Sequence, residues 1–430
     1  MKVTYLVPGS GGSFYCGNCH RDMIYVSSLK RTEGFDISAI PLYLPPIGEE
    51  YGKEFENPVF FGAISLYLRE KIRMFENMPS FLDKLFDAPP FLRMAARKAG
   101  TTRTEGFEET TIAMIKGNDP TRDREIARLS NYICASGKSD IIHLSNALII
   151  GMASQLKNSC SVSIICSLQN EDDWIDQMKE PYRSEAWGLI GKESHNVDLF
   201  ISPSQYFKEF VISKTGIQAD KIHVIPSGLD AGTAVIKERG DSIPAIGYFS
   251  RLSYHNGLDK LVDAFILLRK EEKIPGLQLH LCGGYTGDDK SFVREQFRKI
   301  KGNNLDSVVK IYSSFHGKQK EEFFKTIDLM SVPVRKPDAY GLYILEANSA
   351  GVPVVQPATG AFPEIVGMTN GGITYQPDSV EALADALLKL LTDRQKLNEL
   401  SRSGVDAVYN KLSTANMANR IISVYKKAIT

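Results

Sequence analysis

"SVPVRKPDAYGLYILEANSAGVPVVQPATGAFPEIV", residues 331–366, is the stretch that decides the fold. An apolar run, "DLMSVPV", reads as a strand, and Pro337 and Gly341 hold the next residues in a loop. "LYILEANSA" then has helical character and stops at Gly351, before the second apolar run "VPVVQPA". A strand–loop–helix junction turns free backbone N–H groups and the positive end of a helix dipole toward whatever lies in front of it. A diphosphate suits that position. Asp338 lies in the loop and Glu346 about one turn inside the helix, so two carboxylates flank the anion site and can accept hydroxyl hydrogen bonds. That pattern suits a molecule with a sugar on each side of a diphosphate.

The same rhythm extends outward in both directions. "AIGYFSRLS", "LQLHLCGG" and "VVKIYSS" precede the stretch as further strands with helices between them. Nearer the N-terminus, "KVTYLVP", "FDISAIPLY", "DIIHLSN", "SVSIICSLQ", "VDLFISPS" and "KIHVIPSG" form a second set. Between the two sets the chain is polar and Gly-containing, from about 230 to 243, which marks a linker. The reading is α/β: two doubly wound Rossmann-like lobes facing a central cleft. At 430 residues the chain is too long for one core. The boundaries are 1–235 for the first domain and 236–405 for the second, with residues 406–430 returning to the first as a C-terminal helix. Residues 44–130 interrupt the first lobe as a helical insertion, because "FFGAISLYLREKIRMF" and "PSFLDKLFDAPPFLRMAARKAG" are aromatic, basic and helix-forming. Residues 60–98 are accordingly a candidate for peripheral membrane contact, against the plainer reading of a buried apolar stripe.

Composition excludes several classes. With 43% hydrophobic and 24% charged residues and zero formal net charge, no global field draws nucleic acid. "MKVTYLVPGS" lacks the long apolar stretch of a signal peptide, and no segment is long enough to span a bilayer, which predicts a cytoplasmic protein, with a peripheral place at the inner membrane face as the alternative. "VPGSGGSFYCGNCHRD" permits three readings: a phosphate loop, a haem attachment spelling in "CGNCH", and a redox or zinc pair in Cys16 and Cys19. No second cysteine pair of that spacing exists, and Cys134, Cys160, Cys166 and Cys282 sit in apolar segments as small hydrophobes. A glycine turn with structural cysteines is therefore preferred, with no metal and no cofactor. A dinucleotide-binding oxidoreductase is disfavoured, since the glycines run G-S-G-G and "ISAIPLYLPP" ends without an acid.

Residues 331–366 resemble the C-terminal signature of the family 4 retaining glycosyltransferases, which have the GT-B fold. In that signature an acid precedes a glycine, a second acid follows eight positions after the first, and E-A-x-x-x-G-x-P-V-V follows. Asp338, Gly341, Glu346, Ala347, Gly351, Pro353, Val354 and Val355 fall on it, and Glu364 follows in "GAFPEIV". "GYFSRLSYHNGLDKLVDAF", "LHLCGG" and "IPSGLD" extend the likeness across the second lobe. The resemblance implies a metal-independent hexosyltransferase that moves a sugar from a nucleoside-diphosphate sugar to a hydroxyl of a carbohydrate or lipid-linked acceptor, as in polysaccharide biosynthesis. It implies catalytic roles for Arg251, which neutralises the diphosphate, for Asp338 on donor-sugar hydroxyls, and for Glu346 on the ribose. It places the donor against Gly11, Gly12, Asn256, Lys336, Ala339, Tyr340, Gly341, Leu342 and Tyr343, and the acceptor near His143, Asn170, Glu171 and Asp172. Asn256 stands where the family has a lysine, so either Lys336 or Lys260 substitutes for the second cation or the helix N-terminus carries more of the load. Ser145 stands where the family has a second histidine. Two alternatives keep the same pocket: a non-catalytic nucleotide-sugar binder, or a sugar-nucleotide epimerase.

Overall fold

The computed structural model describes residues 1–9, 14–43, 104–117, 120–230 and 243–430. Described residues up to Gly9, from Asn18 to Ile225 and from Ala418 to Thr430 form one compact unit; Phe14–Gly17 and the residues from Pro226 to Met417 form a second. The division falls at Ile225–Pro226, whereas position 235 lies outside the described residues. Residues 406–417, expected with the first lobe, group with the second, and the return begins at Ala418 within the helix Thr414–Ile429.

The first unit holds a six-stranded sheet of β1 (Lys2–Val7), β2 (Asp36–Pro41), β3 (Ile141–Leu144), β4 (Ser163–Ser167), β5 (Leu199–Ser202) and β6 (Ile222–Val224). Its order is β2-β1-β3-β4-β5-β6 and every pairing is parallel. These strands are near-continuous apolar runs because a parallel sheet is covered by helices on both faces; β3 is buried along its whole length. The chain reverses its direction of winding between β1 and β3, which is where open α/β sheets bind ligands. The helix Gly17–Lys30 begins directly after Cys16 and carries Cys19 in its first turn. Of the expected insertion, helices Glu108–Lys116 and Pro120–Ala135 cover the described part. The membrane candidate at 60–98 lies outside the described residues. Among the described residues, no helix is long and apolar enough to cross a membrane.

The second unit holds β7 (Ala245–Phe249), β8 (Gln278–Cys282), β9 (Val309–Ile311), β10 (Leu329–Met330), β11 (Val354–Pro357) and β12 (Gly372–Tyr375), in the order β12-β11-β10-β7-β8-β9. The switch point here lies between β7 and β10. Two details differ from the sequence reading. β12, "GITY", is too short and too polar to announce itself. β10 is shorter than "DLMSVPV" suggested, because Val332 N turns to the Gln356 side chain and Pro333 has no N–H to continue the ladder. Phe249 closes β7 in an aromatic cluster with Phe323 and Phe324, at centroid separations of 5.6 and 4.9 Å. Burying such a ring contributes about 2–3 kcal/mol.

Candidate functional site

In the second unit, four loops leave the carboxyl ends of neighbouring strands. The loop after β7 carries Arg251 and Asn256, that after β8 carries Thr286 and Asp289, that after β10 carries Lys336 to Gly341, and that after β11 carries Gly360. Backbone bonds lock them together: Ser250 N donates to Cys282 O (3.1 Å), Arg335 N to His255 O (3.0 Å) and Ala361 N to Asp338 O (3.0 Å). Gly360 has φ +58°, and a Cβ there would lie 2.6 Å from both the N and O of Asp338, so only glycine permits this approach.

The Asp338 carboxylate accepts from Tyr340 N (2.9 Å), an Asx turn that leads into Gly341 at φ +79°. Gly341 caps the helix Leu342–Ser349, which is buried almost throughout. The side chains of Ala339, Tyr340, Leu342 and Tyr343 are buried, so they anchor the loop while its backbone remains the part suited to an anion. Tyr340 OH donates to Ser227 O at 2.8 Å.

Arg251 is not a bare cation. Its Nε and Nη2 donate to the two Asp289 oxygens at 2.8 Å each, and Nη2 lies 3.3 Å from Thr286 Oγ1. Burial works against the Asp289 carboxylate, yet the Arg251 and Thr286 hydrogen bonds outweigh it and hold the group below its usual range. Asn256 braces the loop: its Nδ2 donates to Ser250 Oγ (2.9 Å) and Arg251 O (3.3 Å), and Tyr248 OH donates to Arg251 O (2.8 Å). Lys260, one of two candidate replacements for the missing lysine, is instead paired with Asp378 at 2.7 Å. Lys336, half-buried, has no ion pair among the described residues. Burial, then the charges of Lys336 and Arg251, hold the His255 imidazole below its ordinary pKa.

Glu346 is buried at 3% exposure. Its Oε1 lies 2.7 Å from Lys320 Nζ, and its Oε2 accepts a hydrogen bond from Tyr15 OH. An acid inside the apolar octet "LYILEANS" signals that a partner must exist. The partners come from the helix Gly317–Thr326 and from the segment before the first helix, and no local pattern pairs them with position 346. Asp289 was missed for the same reason.

The acceptor-side expectations fare differently. His143 is a core residue: it has no exposed surface, its Nδ1 lies 2.6 Å from Tyr425 OH and its Nε2 2.9 Å from Ser167 Oγ. Burial and then the Arg21 charge hold its pKa down at about 3, so the ring is neutral. Both ring nitrogens have partners inside the first unit. Glu171, also buried, accepts from Ala147 N and Gln169 N at 2.8 Å each and so ties together the loops after β3 and β4. Asn170 takes the left-handed conformation (φ 57°) ahead of the helix Glu171–Ile175, and Asp172 is buried in that helix's first turn. Beside them, Tyr5 OH donates to Asp22 (2.8 Å) and Arg21 Nη2 to Leu168 O (2.9 Å). Gly11 and Gly12 lie outside the described residues. Among the described residues, no group of three or more His, Cys, Asp or Glu side chains is placed to hold a metal ion.

Two family models match adjoining parts of the chain: Glycosyltransferase Family 4 over residues 95–232 and Glycosyl transferases group 1 over residues 236–406. The chain belongs to the family 4 glycosyltransferases. Among curated relatives of this glycosyltransferase, an uncharacterised glycosyltransferase of Methanocaldococcus jannaschii is 24% identical, over 68% of this chain and 76% of its own length. The D-inositol 3-phosphate glycosyltransferase of Corynebacterium aurimucosum is 25% identical, over 55% of this chain and 58% of its own, so the match spans less than two thirds of that relative. The fold is GT-B. The Anabaena protein HepE, solved with UDP and glucose, superposes with a TM-score of 0.66 at 17% identity, covering 99% of this chain and all of that one. Sucrose-phosphate synthase from Thermosynechococcus elongatus reaches 0.70 at 15% identity, over 99% and 98%.

Proposed function

We propose that this glycosyltransferase moves a hexosyl group from a nucleoside-diphosphate sugar to an acceptor hydroxyl with retention of configuration and without a metal ion. The observation that carries the reading is the placement of Arg251, Lys336, Asp338 and the Gly341 helix start on the loops at the β7/β10 switch point, with Glu346 inside that helix. A leaving diphosphate gains negative charge as the anomeric bond breaks, and fixed cations and amides aimed at it lower the barrier. Arg251, oriented by Asp289, and Lys336 supply the cations, with Lys336 in place of the lysine that Asn256 replaces. Asp338 holds donor-sugar hydroxyls and Glu346 the ribose. The acceptor oxygen bonds to the anomeric carbon on the face the diphosphate leaves, and a phosphate oxygen takes its proton.

Relatives give the reading its substrate class. HepE is described with UDP and glucose, and a Mycobacterium tuberculosis relative is described as a GDP-mannose-dependent phosphatidylinositol monomannoside mannosyltransferase. A carbohydrate or lipid-linked acceptor and a cytoplasmic site of action follow as part of the same proposal.

The test is release of nucleoside diphosphate from a panel of nucleotide sugars, with and without EDTA, and NMR of the product's anomeric proton. Glu346→Ala and Arg251→Ala are each expected to lower turnover by about a hundredfold or more. Unchanged turnover in both variants, at unchanged melting temperature, would overturn the reading. Epimerised donor in place of transferred sugar would favour the epimerase.

A further inference from the structure

The segment Phe14–Gly17 belongs with the second unit, although the helix it leads into belongs, from Asn18 onward, to the first. It is held there by backbone and side chain alike. Tyr15 N donates to Gly283 O at 2.7 Å, and Phe14 forms an antiparallel bridge with Gly284, just past the end of β8. The Tyr15 ring meets Phe249 edge-on at 4.8 Å and Phe315 at 6.4 Å. Its hydroxyl donates to Glu346 Oε2, while the Phe14 ring lies 5.3 Å from the Arg251 guanidinium carbon. Two consecutive aromatic residues thus cover the two side chains assigned to the ribose and the diphosphate.

A phenol and a ribose hydroxyl present the same O–H donor to a carboxylate. Tyr15 is 7% exposed and Glu346 3%, so the two donors compete for one crowded oxygen. We infer that Tyr15 is an internal competitor of the donor: its hydroxyl occupies a ribose-hydroxyl position on Glu346, and a nucleoside diphosphate has to displace it. The inference rests on the ribose role proposed for Glu346. It sets donor affinity, because a protein whose competent state is only part of the population binds more weakly by that fraction.

Calorimetric titration of wild type and Tyr15→Phe with UDP, GDP and ADP tests it. Tyr15→Phe keeps the ring packing and removes only the donor. The tightest nucleotide is expected to bind the variant about ten- to a hundredfold more strongly, as for one charge-assisted hydrogen bond lost from the competing state. The gain is expected to vanish with the 2′,3′-dideoxy form of that nucleotide. Equal or weaker binding by Tyr15→Phe overturns the inference alone, and so does a gain that persists with the dideoxy form. Unchanged wild-type affinity in Glu346→Gln overturns the ribose role beneath it, and binding of no nucleotide by either form ends both.

Discussion

Arg251 and Asp289 meet as a bidentate pair, 2.8 Å at each contact, across the loops that leave the neighbouring strands β7 and β8. Their side chains are 13% and 8% exposed, so the pair is largely shielded from water. Asp289→Asn leaves the arginine charge uncompensated and is expected to destabilise the protein by about 2–4 kcal/mol at neutral pH. Because the carboxylate is held below its unfolded pKa, its contribution is present above about pH 4 and is lost as pH falls through the folded value. Denaturant titrations of both forms at pH 7 and pH 3.5 check this: the gap should narrow in acid.

Lys336 and Lys260 separate cleanly as candidates for the missing cation. Lys336→Met is expected to lower transfer by about ten- to a hundredfold. Lys260→Met, which breaks only the partly exposed pair with Asp378, should leave turnover within about twofold of wild type. Steady-state rates of nucleoside diphosphate release decide between them.

His143 and Asp22 share one buried network and respond to pH with opposite signs. Burial holds His143 down at about 3, so its contribution is present above pH 6.5 and is lost as pH falls toward 3. Burial pushes Asp22 up to about 7 against the pull of Arg21, Gln169 and Tyr5, so its contribution is present below about pH 4 and is lost as pH rises through 7. Measured against wild type, His143→Gln should therefore gain stability as pH falls from 6.5 to 5, and Asp22→Asn should lose it, each by up to about 1.4 kcal/mol per unit. Chemical denaturation across that window reads both slopes.

Gly360→Ala tests the loop frame of the site. The left-handed backbone and the 2.6 Å approach to Asp338 together predict a loss of about 2–3 kcal/mol. Nucleoside diphosphate affinity should fall with it, because the Asp338 loop has to move. Calorimetric melting with and without UDP measures both effects.

Much of the fold is legible in the chain. Four strands of the first sheet, β3 to β6, lie in apolar runs that end at polar or small residues, and Asp338, Gly341 and Glu346 stand out by spacing. Position alone leaves His143 open between a sugar contact and a packed, hydrogen-bonded histidine, because a polar residue at a strand end serves a cleft or a core equally well; the structure buries it completely. Its partner Tyr425 is 282 positions away. Glu171 is open in the same way between acceptor contact and helix cap, and its carboxylate accepts from Gln169 N nearby and from Ala147 N, 24 positions away.

The sequence by itself determined where chain turns into strand, loop and helix, and hence that a helix start with two flanking acids follows β10, since those choices depend on neighbours a few residues apart. Tertiary structure alone decided the charge partners: Asp289 for Arg251, Lys320 and Tyr15 for Glu346, Asp378 for Lys260. Coulombic and hydrogen-bond energies depend on separation in space, and side chains tens to hundreds of residues apart acquire it only when the sheets assemble.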